Sequence, residues 1–272
     1  MPELPEVETV KRVLENKYLN KTIKDVKIIY PKIIENITPE DFRNNLIGQT
    51  IKSFDRYGKY LIVKLDKGSL LIHLRMEGKF KFSMDLFDKH SHIIFNFTDG
   101  DVLIYHDVRK FGKMFYFKDG VDIYKEEPLN RLGLEPKDIT DIDYLVKKFN
   151  KTKKEIKIAL LDQSIICGIG NIYADEILYE CMICPTTPAC NLNKEQLQKI
   201  VNAATNILNE AIKYGGTTIK SFQSSHGVDG NFQIKLQAYG KENLPCSRCN
   251  TPMVKIKIDG RGTCFCPNCQ KG

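Results

Sequence analysis

The sequence of 272 residues lacks tryptophan, membrane-length apolar runs, internal repeats and low-complexity tracts. A transmembrane helix needs about 20 consecutive apolar residues, so none is expected here. The first residues are acidic and amphipathic, and they do not show the basic and then apolar pattern of a secretory signal. We therefore expect a cytoplasmic protein without membrane association. The length is sufficient for two domains that each bury a core.

The chain also lacks a basis for a disulfide framework. Its nine cysteines are an odd number, and no export signal precedes them, which favours metal ligands or free thiols. The formal net charge is +7 and the sequence pI is near 8.8, so an anionic partner is favoured. Basic residues cluster in the segment KTKKEIK at 151–157, which favours nucleic acid as that partner.

The pattern of apolar residues predicts an α+β multidomain protein. A helix is predicted over 2–17, and residues 22–118 contain short β-rich runs with turn signals between them, which is typical of an antiparallel sandwich or barrel. The segment PLNRLGLEP at 128–136 has the composition of a linker, and helical patterns follow it. The predicted domains are an N-terminal helix with an antiparallel β-sandwich (1–130), a helical domain (131–242) and a cysteine-rich tail (243–272).

The tail contains the strongest local signal in the sequence. CSRC at 246–249 and CPNC at 266–269 are separated by sixteen residues, a spacing that presents four thiolates to one tetrahedral Zn²⁺, as in a zinc ribbon. Cys246, Cys249, Cys266 and Cys269 are the predicted ligands. Cys264 is excluded because pairing it with Cys266 would abandon the CxxC spacing. Between the pairs, IKIDGRGT predicts two short strands with Arg261 at their tip.

The N-terminus MPELPE has an ordinary structural interpretation. Proline suits the first position of a helix, where its missing N–H has no partner, and glutamates in the first turns complement the helix dipole. Leu4, Val7, Val10 and Leu14 recur at helical spacing and give one apolar stripe. By this interpretation, Pro2 simply starts a helix.

A glycine-rich turn lies between two predicted helices of the helical domain, in the segment LLDQSIICGIGNIYADEIL. Gly168 and Gly170 allow a ligand to approach the backbone, and Asn171 is predicted to cap the following helix, whose N-terminus attracts an anion. Lys153 and Lys157 precede this turn and are predicted to contact phosphates.

Several motifs occur together along the whole chain. MPELPEVET, GIGNIYADE and the four-cysteine tail are accompanied by RYGKYL, HLRMEGKF, KHSH, DVRKFG and GGTTIKSFQSSHG. In this combination the chain resembles the bacterial formamidopyrimidine-DNA glycosylase family, repair enzymes that remove oxidised purines such as 8-oxoguanine. The resemblance implies a helix-two-turn-helix domain, one structural Zn²⁺, a monomer, and double-stranded DNA containing an oxidised purine as substrate.

The resemblance implies a catalytic role for five residues. Removal of Met1 would give Pro2 a free secondary amine, which attacks the sugar at C1′ and forms an iminium. Glu3 would be the general acid that opens the deoxyribose ring, and Glu6 would support the amine. Lys59 resembles the proton donor for β-elimination and Arg261 the donor for δ-elimination.

The resemblance also implies a DNA-binding set. His90, Arg109 and Lys153 resemble DNA contacts, and Asn171 lies at the position of a phosphate contact. Met76, Arg109 and Phe111 resemble the trio that fills the gap left by a flipped base, although core packing is the ordinary explanation for Met76 and Phe111. Residues 217–233 would form a loop over the flipped base.

Three other functions are compatible with parts of these signals. A non-enzymatic zinc-ribbon DNA-binding protein would need the tail but no free Pro2 amine. A pyrimidine-directed glycosylase of the endonuclease VIII type would differ in base preference, and an inactive member would act as a lesion sensor. The joint presence of Pro2, Glu3, Lys59 and Arg261 argues against the first and the third.

Overall fold

The structure is a computed structural model that describes residues 1–217 and 230–271. The chain divides into two compact units. Unit 1 comprises Met1–Asn130 and Gly215–Asn231, and unit 2 comprises Arg131–Tyr214 and Phe232–Gly272. The helical domain predicted over 131–242 is thus interrupted by a segment that groups with unit 1. Positions 218–229 of the predicted loop lie outside the described residues.

Unit 1 contains two four-stranded antiparallel sheets. Their strand orders are β1-β6-β7-β5 and β2-β3-β4-β8. The strands are β1 (Ile23–Ile28), β2 (Ile51–Tyr57), β3 (Tyr60–Leu65), β4 (Gly68–His73), β5 (Lys79–Lys81), β6 (Ser91–Phe97), β7 (Val102–His106) and β8 (Lys113–Phe117). The predicted β-rich runs all become strands, because each alternates branched or aromatic residues between turn signals.

The core of unit 1 lies between its two sheets. Buried side chains from both sheets form one apolar cluster, to which helix α1 (Leu4–Tyr18) adds Val7, Leu14 and Tyr18. The Tyr18 hydroxyl donates to the Val102 carbonyl at 2.6 Å, so the end of α1 is fixed to β7. The antiparallel sandwich with an N-terminal helix is confirmed, and it holds the start of α1 in one place.

Helix α2 (Pro39–Leu46) was not predicted, since the whole stretch from 22 to 118 was assigned to β-structure. The signals for it are present. Thr38 accepts a hydrogen bond from the Asp41 N–H at 3.1 Å, Pro39 stands in the first turn, and Glu40 and Asp41 add negative charge there. Phe42 and Leu46 are buried.

Unit 2 is helical, as predicted. Its helices are α3 (Asp143–Phe149), α4 (Ile156–Leu161), α5 (Asn171–Cys181) and α6 (Lys194–Lys213). The predicted Asn cap of α6 is confirmed, because Asn193 accepts from the Gln196 N–H at 2.8 Å. The helix stops before Gly215 and Gly216, which both have positive φ. No helix within residues 1–217 and 230–271 is long and apolar enough to cross a membrane.

The C-terminal part of unit 2 contains a hairpin of β9 (Val254–Ile258) and β10 (Arg261–Phe265). Asp259 and Gly260 form its two-residue turn, and both have positive φ, as a tight hairpin requires. Arg261 is exposed at the first position of β10, opposite Ile258. The two predicted strands with Arg261 at their tip are therefore observed.

Candidate active site and metal centre

The structure places Pro2 just before helix α1, and not at the first helical position that the ordinary interpretation gave it. Glu3 is the N-cap, Leu4 is the first helical residue, and Pro5 is the proline in the first turn. Pro2 therefore lies outside the helix, and its predicted position at the helix start is wrong. Glu3 and Glu6 form a capping box in which the Glu6 Oε2 accepts from the Glu3 N–H at 2.9 Å. Pro2, Glu3 and Glu6 are all buried.

The second oxygen of Glu6 binds a distant segment of unit 1. Glu6 Oε1 accepts from the Thr217 N–H at 2.8 Å and from the Thr217 hydroxyl at 3.1 Å. Gly216 has φ +79°, and a Cβ there would lie 2.6 Å from the same oxygen, so only glycine fits this approach. Glu6 thus joins the N-terminus to the chain on which the predicted loop begins.

Lys59 lies in the tight turn between β2 and β3. It is only 5 % exposed, and Gly58 before it has a positive φ. Arg56 holds this turn against α1, because its Nε donates to Glu8 Oε2 and its Nη1 donates to the Gly58 carbonyl, both at 3.1 Å. Burial is the largest influence on the Glu8 pKa and raises it, but the Arg56 hydrogen bond, together with the charge of Lys11 and the Arg12 hydrogen bond, outweighs burial and lowers the pKa. This ion pair positions Lys59.

The electrostatics at the N-terminus can be examined through the Met1 amine, which stands one residue outside the Pro2 amine that removal of Met1 would create. Burial is the largest influence and lowers the pKa of this amine; Glu3 and Glu6 raise it, and Lys59 lowers it. These three predicted catalytic side chains all act on one amine. A lowered pKa increases the fraction of neutral, nucleophilic amine at physiological pH.

The three residues of the predicted void-filling trio are exposed at loops of unit 1. Met76 follows β4 and is 37 % exposed, and Phe111 precedes β8 and is 49 % exposed. The Arg109 guanidinium lies 4.7 Å from the centre of the Phe111 ring, a cation–π distance. Core packing, the ordinary explanation, is therefore wrong for Met76 and Phe111, because both side chains are exposed.

His90 is positioned by Asp88 in the segment before β6. Asp88 Oδ1 accepts from the His90 N–H at 2.8 Å, and Asp88 Oδ2 is bound by Lys81 at 2.8 Å and by the ring of His106 at 3.1 Å. The rings of His90 and His106 lie 5.7 Å apart in an edge-to-face arrangement. Asp88 therefore fixes His90 and His106 next to each other.

In unit 2, the two lysines that were predicted to contact phosphates differ. Lys153 is exposed before α4. Lys157 is completely buried, with its ammonium bound to Asp175 Oδ1 and donating to the Asn171 carbonyl at 3.1 Å. The prediction that Lys157 contacts phosphate directly is wrong, because its side chain is buried. Its position on a helix could not show from sequence whether it faces solvent or the protein interior. Burial raises the pKa of Asp175 to about 6, and Lys157 opposes this rise.

Asn171 is the first residue of α5, whose N-cap is Gly170, so the predicted Asn171 cap is wrong. The Asn171 amide instead donates to the Gly262 carbonyl at 3.1 Å, and Asp175 Oδ2 accepts from the Cys264 N–H at 3.2 Å. Both bonds connect α5 with β10, the strand that begins with Arg261. Within unit 2, the helix start and the Arg261 hairpin are therefore held together.

The four predicted zinc ligands converge in unit 2. The sulfur atoms of Cys246, Cys249, Cys266 and Cys269 all lie within 4.8 Å of one another, with 3.9 Å between Cys246 and Cys269 and 3.5 Å between Cys249 and Cys266. Tetrahedral Zn²⁺ with Zn–S bonds of about 2.3 Å requires sulfur atoms about 3.8 Å apart. The four thiols therefore fit one Zn²⁺. Cys264 is buried and does not belong to the group.

Comparison with known proteins identifies the family. The formamidopyrimidine-DNA glycosylase N-terminal domain matches residues 1–114, the H2TH domain of the same proteins matches 123–223, and a zinc finger found in FPG and IleRS matches 243–272. The chain is 45 % identical over 276 residues to formamidopyrimidine-DNA glycosylase of Bacillus cereus, and 47 % identical over 277 residues to that of Ligilactobacillus salivarius, with 99 % of each chain covered. The chain belongs to the formamidopyrimidine-DNA glycosylase family.

Solved structures of this family have the same fold. A Lactococcus lactis FPG variant in complex with Fapy-dG containing DNA matches with a TM-score of 0.92 and 39 % identity, and L. lactis Fpg with abasic-site DNA matches with 0.91 and 38 %. Both comparisons cover 100 % of each chain. The zinc-finger match and the four-cysteine geometry together identify one structural Zn²⁺ site. These relatives do not favour the endonuclease VIII-like or non-catalytic alternatives.

Sequence reasoning missed several residues that organise the sites of this family member. Arg56, Thr217 and Asp175 bind residues that are distant in sequence, and no local pattern marks such partners. Asp107 was also missed, but it has a local signal. Its carboxylate accepts from the Arg109 N–H two residues ahead, and an aspartate in such a turn can be recognised from sequence.

Proposed function

We propose that this chain is a base-excision repair DNA glycosylase that removes oxidised purines, such as 8-oxoguanine and formamidopyrimidines, and then cleaves the DNA by β,δ-elimination. The observation that carries the proposal is the buried N-terminus, where Pro2 stands outside α1 and Glu3, Glu6 and Lys59 all act on the terminal amine. The full-length relatives named for this glycosylase activity support it.

The first chemical step uses the amine of Pro2 after removal of Met1. The amine attacks C1′ of the damaged nucleotide, the bond from C1′ to the base breaks, and the base leaves with a proton. An α-amino group titrates near ~8 and lysine near ~10.4, so the terminal amine offers a few hundred times more neutral nucleophile at pH 7. Glu3 protonates the ring oxygen as the deoxyribose opens to the iminium, and Glu6 holds the amine region through the capping box.

The iminium then makes strand cleavage possible. It acidifies the C2′ hydrogens, so that loss of one of them expels the 3′ phosphate, with Lys59 as the proton donor. A second elimination expels the 5′ phosphate, with Arg261 as the donor. The protein's rigid elements support these assignments, since Lys59 occupies a turn fixed by Arg56, and Arg261 begins the hairpin that is bound to α5 and closed by the zinc site.

DNA binding is assigned to exposed residues of both units. Met76, Arg109 and Phe111 fill the gap left when the damaged nucleotide leaves the stack, which an enzyme acting at C1′ requires. His90, Lys153 and Asn171 contact the DNA backbone, and Lys157 acts only by positioning Asn171 and Asp175. The partner is double-stranded DNA containing an oxidised purine. We place the enzyme, as a monomer, on bacterial chromosomal DNA in the cytoplasm.

Borohydride trapping tests the proposal. Duplex DNA carrying 8-oxoguanine opposite cytosine is incubated with the protein, and borohydride reduces any iminium to a stable adduct. We expect an adduct through Pro2, and its loss in a processed Pro2→Gly variant and in a form that retains Met1. Pro5→Ala is the matched control, because it changes a proline of the same turn and leaves the terminal amine intact. Undiminished trapping by Pro2→Gly would refute the nucleophile.

A further inference from the structure

The loop between β7 and β8 is built around one buried carboxylate. Asp107 is 0 % exposed, although it immediately precedes the exposed segment from Val108 to Phe111. Its Oδ1 accepts from the Arg109 N–H at 3.0 Å, and its Oδ2 accepts from the Gly112 N–H at 2.8 Å. The two oxygens thus hold the loop at its beginning and at its end.

The backbone of Asp107 is fixed as well. Its N–H donates to the His90 carbonyl at 3.0 Å, and its carbonyl is bound by the His92 ring at 2.7 Å. His90 belongs to the proposed DNA contacts. One buried residue therefore joins the segment before β6, which carries His90, to the loop that carries Arg109 and Phe111.

The conformation of the loop is strained and needs such support. Lys110 has φ +58°, a left-handed conformation that is strained for a non-glycine residue and persists only where the surrounding structure imposes it. At Gly112 a Cβ would lie 1.6 Å from the Tyr105 hydroxyl and 3.2 Å from Asp107 Oδ2. The end of the loop is thus pressed against the Tyr105 hydroxyl, next to the buried carboxylate, and only glycine allows this approach.

The result is a preformed pair on the surface. The Arg109 guanidinium stacks on Phe111 at 4.7 Å while both residues are exposed. The four residues from Val108 to Phe111 expose two apolar and two cationic side chains, which without an anchor would sample many conformations. Ordering side chains before binding reduces the entropy lost on association.

We propose that Asp107 is a positioning residue that holds Arg109 and Phe111 in the orientation needed to replace a flipped nucleotide. Asp107 does not contact DNA in this arrangement and acts only through the loop. The inference rests on the proposed function, because the orientation of Arg109 affects base discrimination only if the enzyme flips a nucleotide and reads its partner base.

Replacement of the carboxylate should loosen the loop without removing any DNA contact. Asp107→Asn retains the size of the side chain but replaces one accepting oxygen with an NH₂ group. That group would face the N–H of either Arg109 or Gly112, so that one end of the loop loses its acceptor. Asp107→Ser is a second, smaller variant, whose hydroxyl accepts from the N–H two residues ahead and leaves the Gly112 N–H without this partner.

The test measures cleavage of 8-oxoguanine opposite each of the four bases, together with lyase activity on a preformed abasic site. A bidentate base contact discriminates by about 5- to 150-fold, so Asp107→Asn should reduce the preference for cytosine by about fivefold or more. Lyase activity and borohydride trapping on the abasic site should change by less than about twofold, because they do not require recognition of the partner base.

Tyr18→Phe is the matched control for lost stability in unit 1. It removes a buried hydrogen bond of 2.6 Å to Val102 and does not contact the Asp107 loop. We expect it to lower the melting temperature and to retain the cytosine preference. If Tyr18→Phe flattened the preference as much as Asp107→Asn, general destabilisation would explain the effect and the positioning role would be wrong.

The outcomes separate this inference from the proposed function. If wild-type protein neither excises 8-oxoguanine nor forms the adduct, the proposed function fails. If wild type prefers cytosine and Arg109→Ala removes that preference, the function and the role of Arg109 stand. Folded Asp107→Asn or Asp107→Ser protein that then kept the full preference would overturn the role of Asp107 alone.

Discussion

The two units bury charged groups for different purposes. In unit 1 the buried carboxylates of Glu3, Glu6 and Asp107 lie next to residues assigned to chemistry or DNA contact, and Glu6 and Asp107 accept backbone N–H groups there. In unit 2, the buried pair of Lys157 and Asp175 connects α4, α5 and β10. The first set lies beside the residues of the proposed function, and the second connects three elements of unit 2.

The β-sandwich and the zinc ribbon also differ in how many apolar side chains they bury. The core of unit 1 includes residues of all eight strands of its sheets and of α1, so the sandwich is stabilised by apolar burial. The buried cluster around the zinc site has six residues, and Cys246, Cys264 and Cys266 are half of them. So small a cluster cannot stabilise the zinc ribbon by burial alone, and the ribbon depends on its metal.

The largest expected effect is the loss of zinc from unit 2. Structural Zn²⁺ contributes about 10–16 kcal/mol in small zinc domains, so Cys266→Ser should unfold the tail and weaken DNA binding while unit 1 remains folded. Zinc content by atomic absorption, binding to duplex DNA and proteolysis of the tail measure this. Cys264→Ser is the control and should keep the metal. A Cys266→Ser protein with full zinc and full affinity would contradict the ligand assignment.

The next effect is the loss of the Lys157–Asp175 pair. Lys157→Met leaves a buried carboxylate without its cation, which costs about 3–5 kcal/mol of folding free energy. Lys157→Met with Asp175→Asn should recover much of this, because the amide is neutral and its oxygen still accepts from the Cys264 N–H. Urea denaturation measures both. A single variant as stable as wild type would restore Lys157 as a candidate surface contact.

Except for α2, which was missed despite its local signals, the errors made from sequence have a common physical origin. Strands, the α6 cap and the cysteine ribbon were predictable because each depends on neighbouring residues. The burial of Lys157 and the bond from Glu6 to Thr217 depend on which segments fold together, and no periodicity specifies that. Asn171 was expected to cap α5 because asparagine favours caps, but its amide binds the hairpin instead, since tertiary contacts outweigh local preference.

A smaller effect separates the DNA contacts of the two units. An arginine that enters the gap can donate to the acceptors of cytosine, a contact worth about 1–3 kcal/mol of discrimination. Arg109→Ala should therefore flatten the preference for cytosine opposite 8-oxoguanine. Lys153→Ala should weaken binding equally for all partners and lower the salt slope by about one unit. Cleavage opposite each base at two salt concentrations distinguishes them, and equal loss on all partners for Arg109→Ala would reduce it to a backbone contact.

The smallest effect concerns the loop that carries Met76. Just as Asp107 binds the Arg109 N–H, the buried His73 accepts from the Arg75 N–H through Nδ1 at 3.0 Å, and Arg75 has φ +55°. Only a neutral imidazole can accept this bond. Burial, together with the positive charges of the nearby Arg75 and Lys59, lowers the pKa of His73 to about 3.

The sign of the pH dependence follows from this shift. The unfolded chain binds a proton at His73 below a pKa of about 6.5, and the folded protein does so only near 3, so unit 1 loses stability as pH falls through this interval. At pH 5.5 the loss from His73 is about 1.4 kcal/mol.

His73→Asn retains an accepting oxygen and does not titrate. Between pH 7.5 and 5.5 its unfolding free energy should therefore fall by about 1.4 kcal/mol less than that of wild type. His106, whose pKa is also lowered by burial, is present in both proteins and cancels in this difference. Equal losses in the two proteins would mean that protonation of His73 does not lower the free energy of unfolding. The Met76 loop would then lack a fixed acceptor like the one that Asp107 provides for the Arg109 loop.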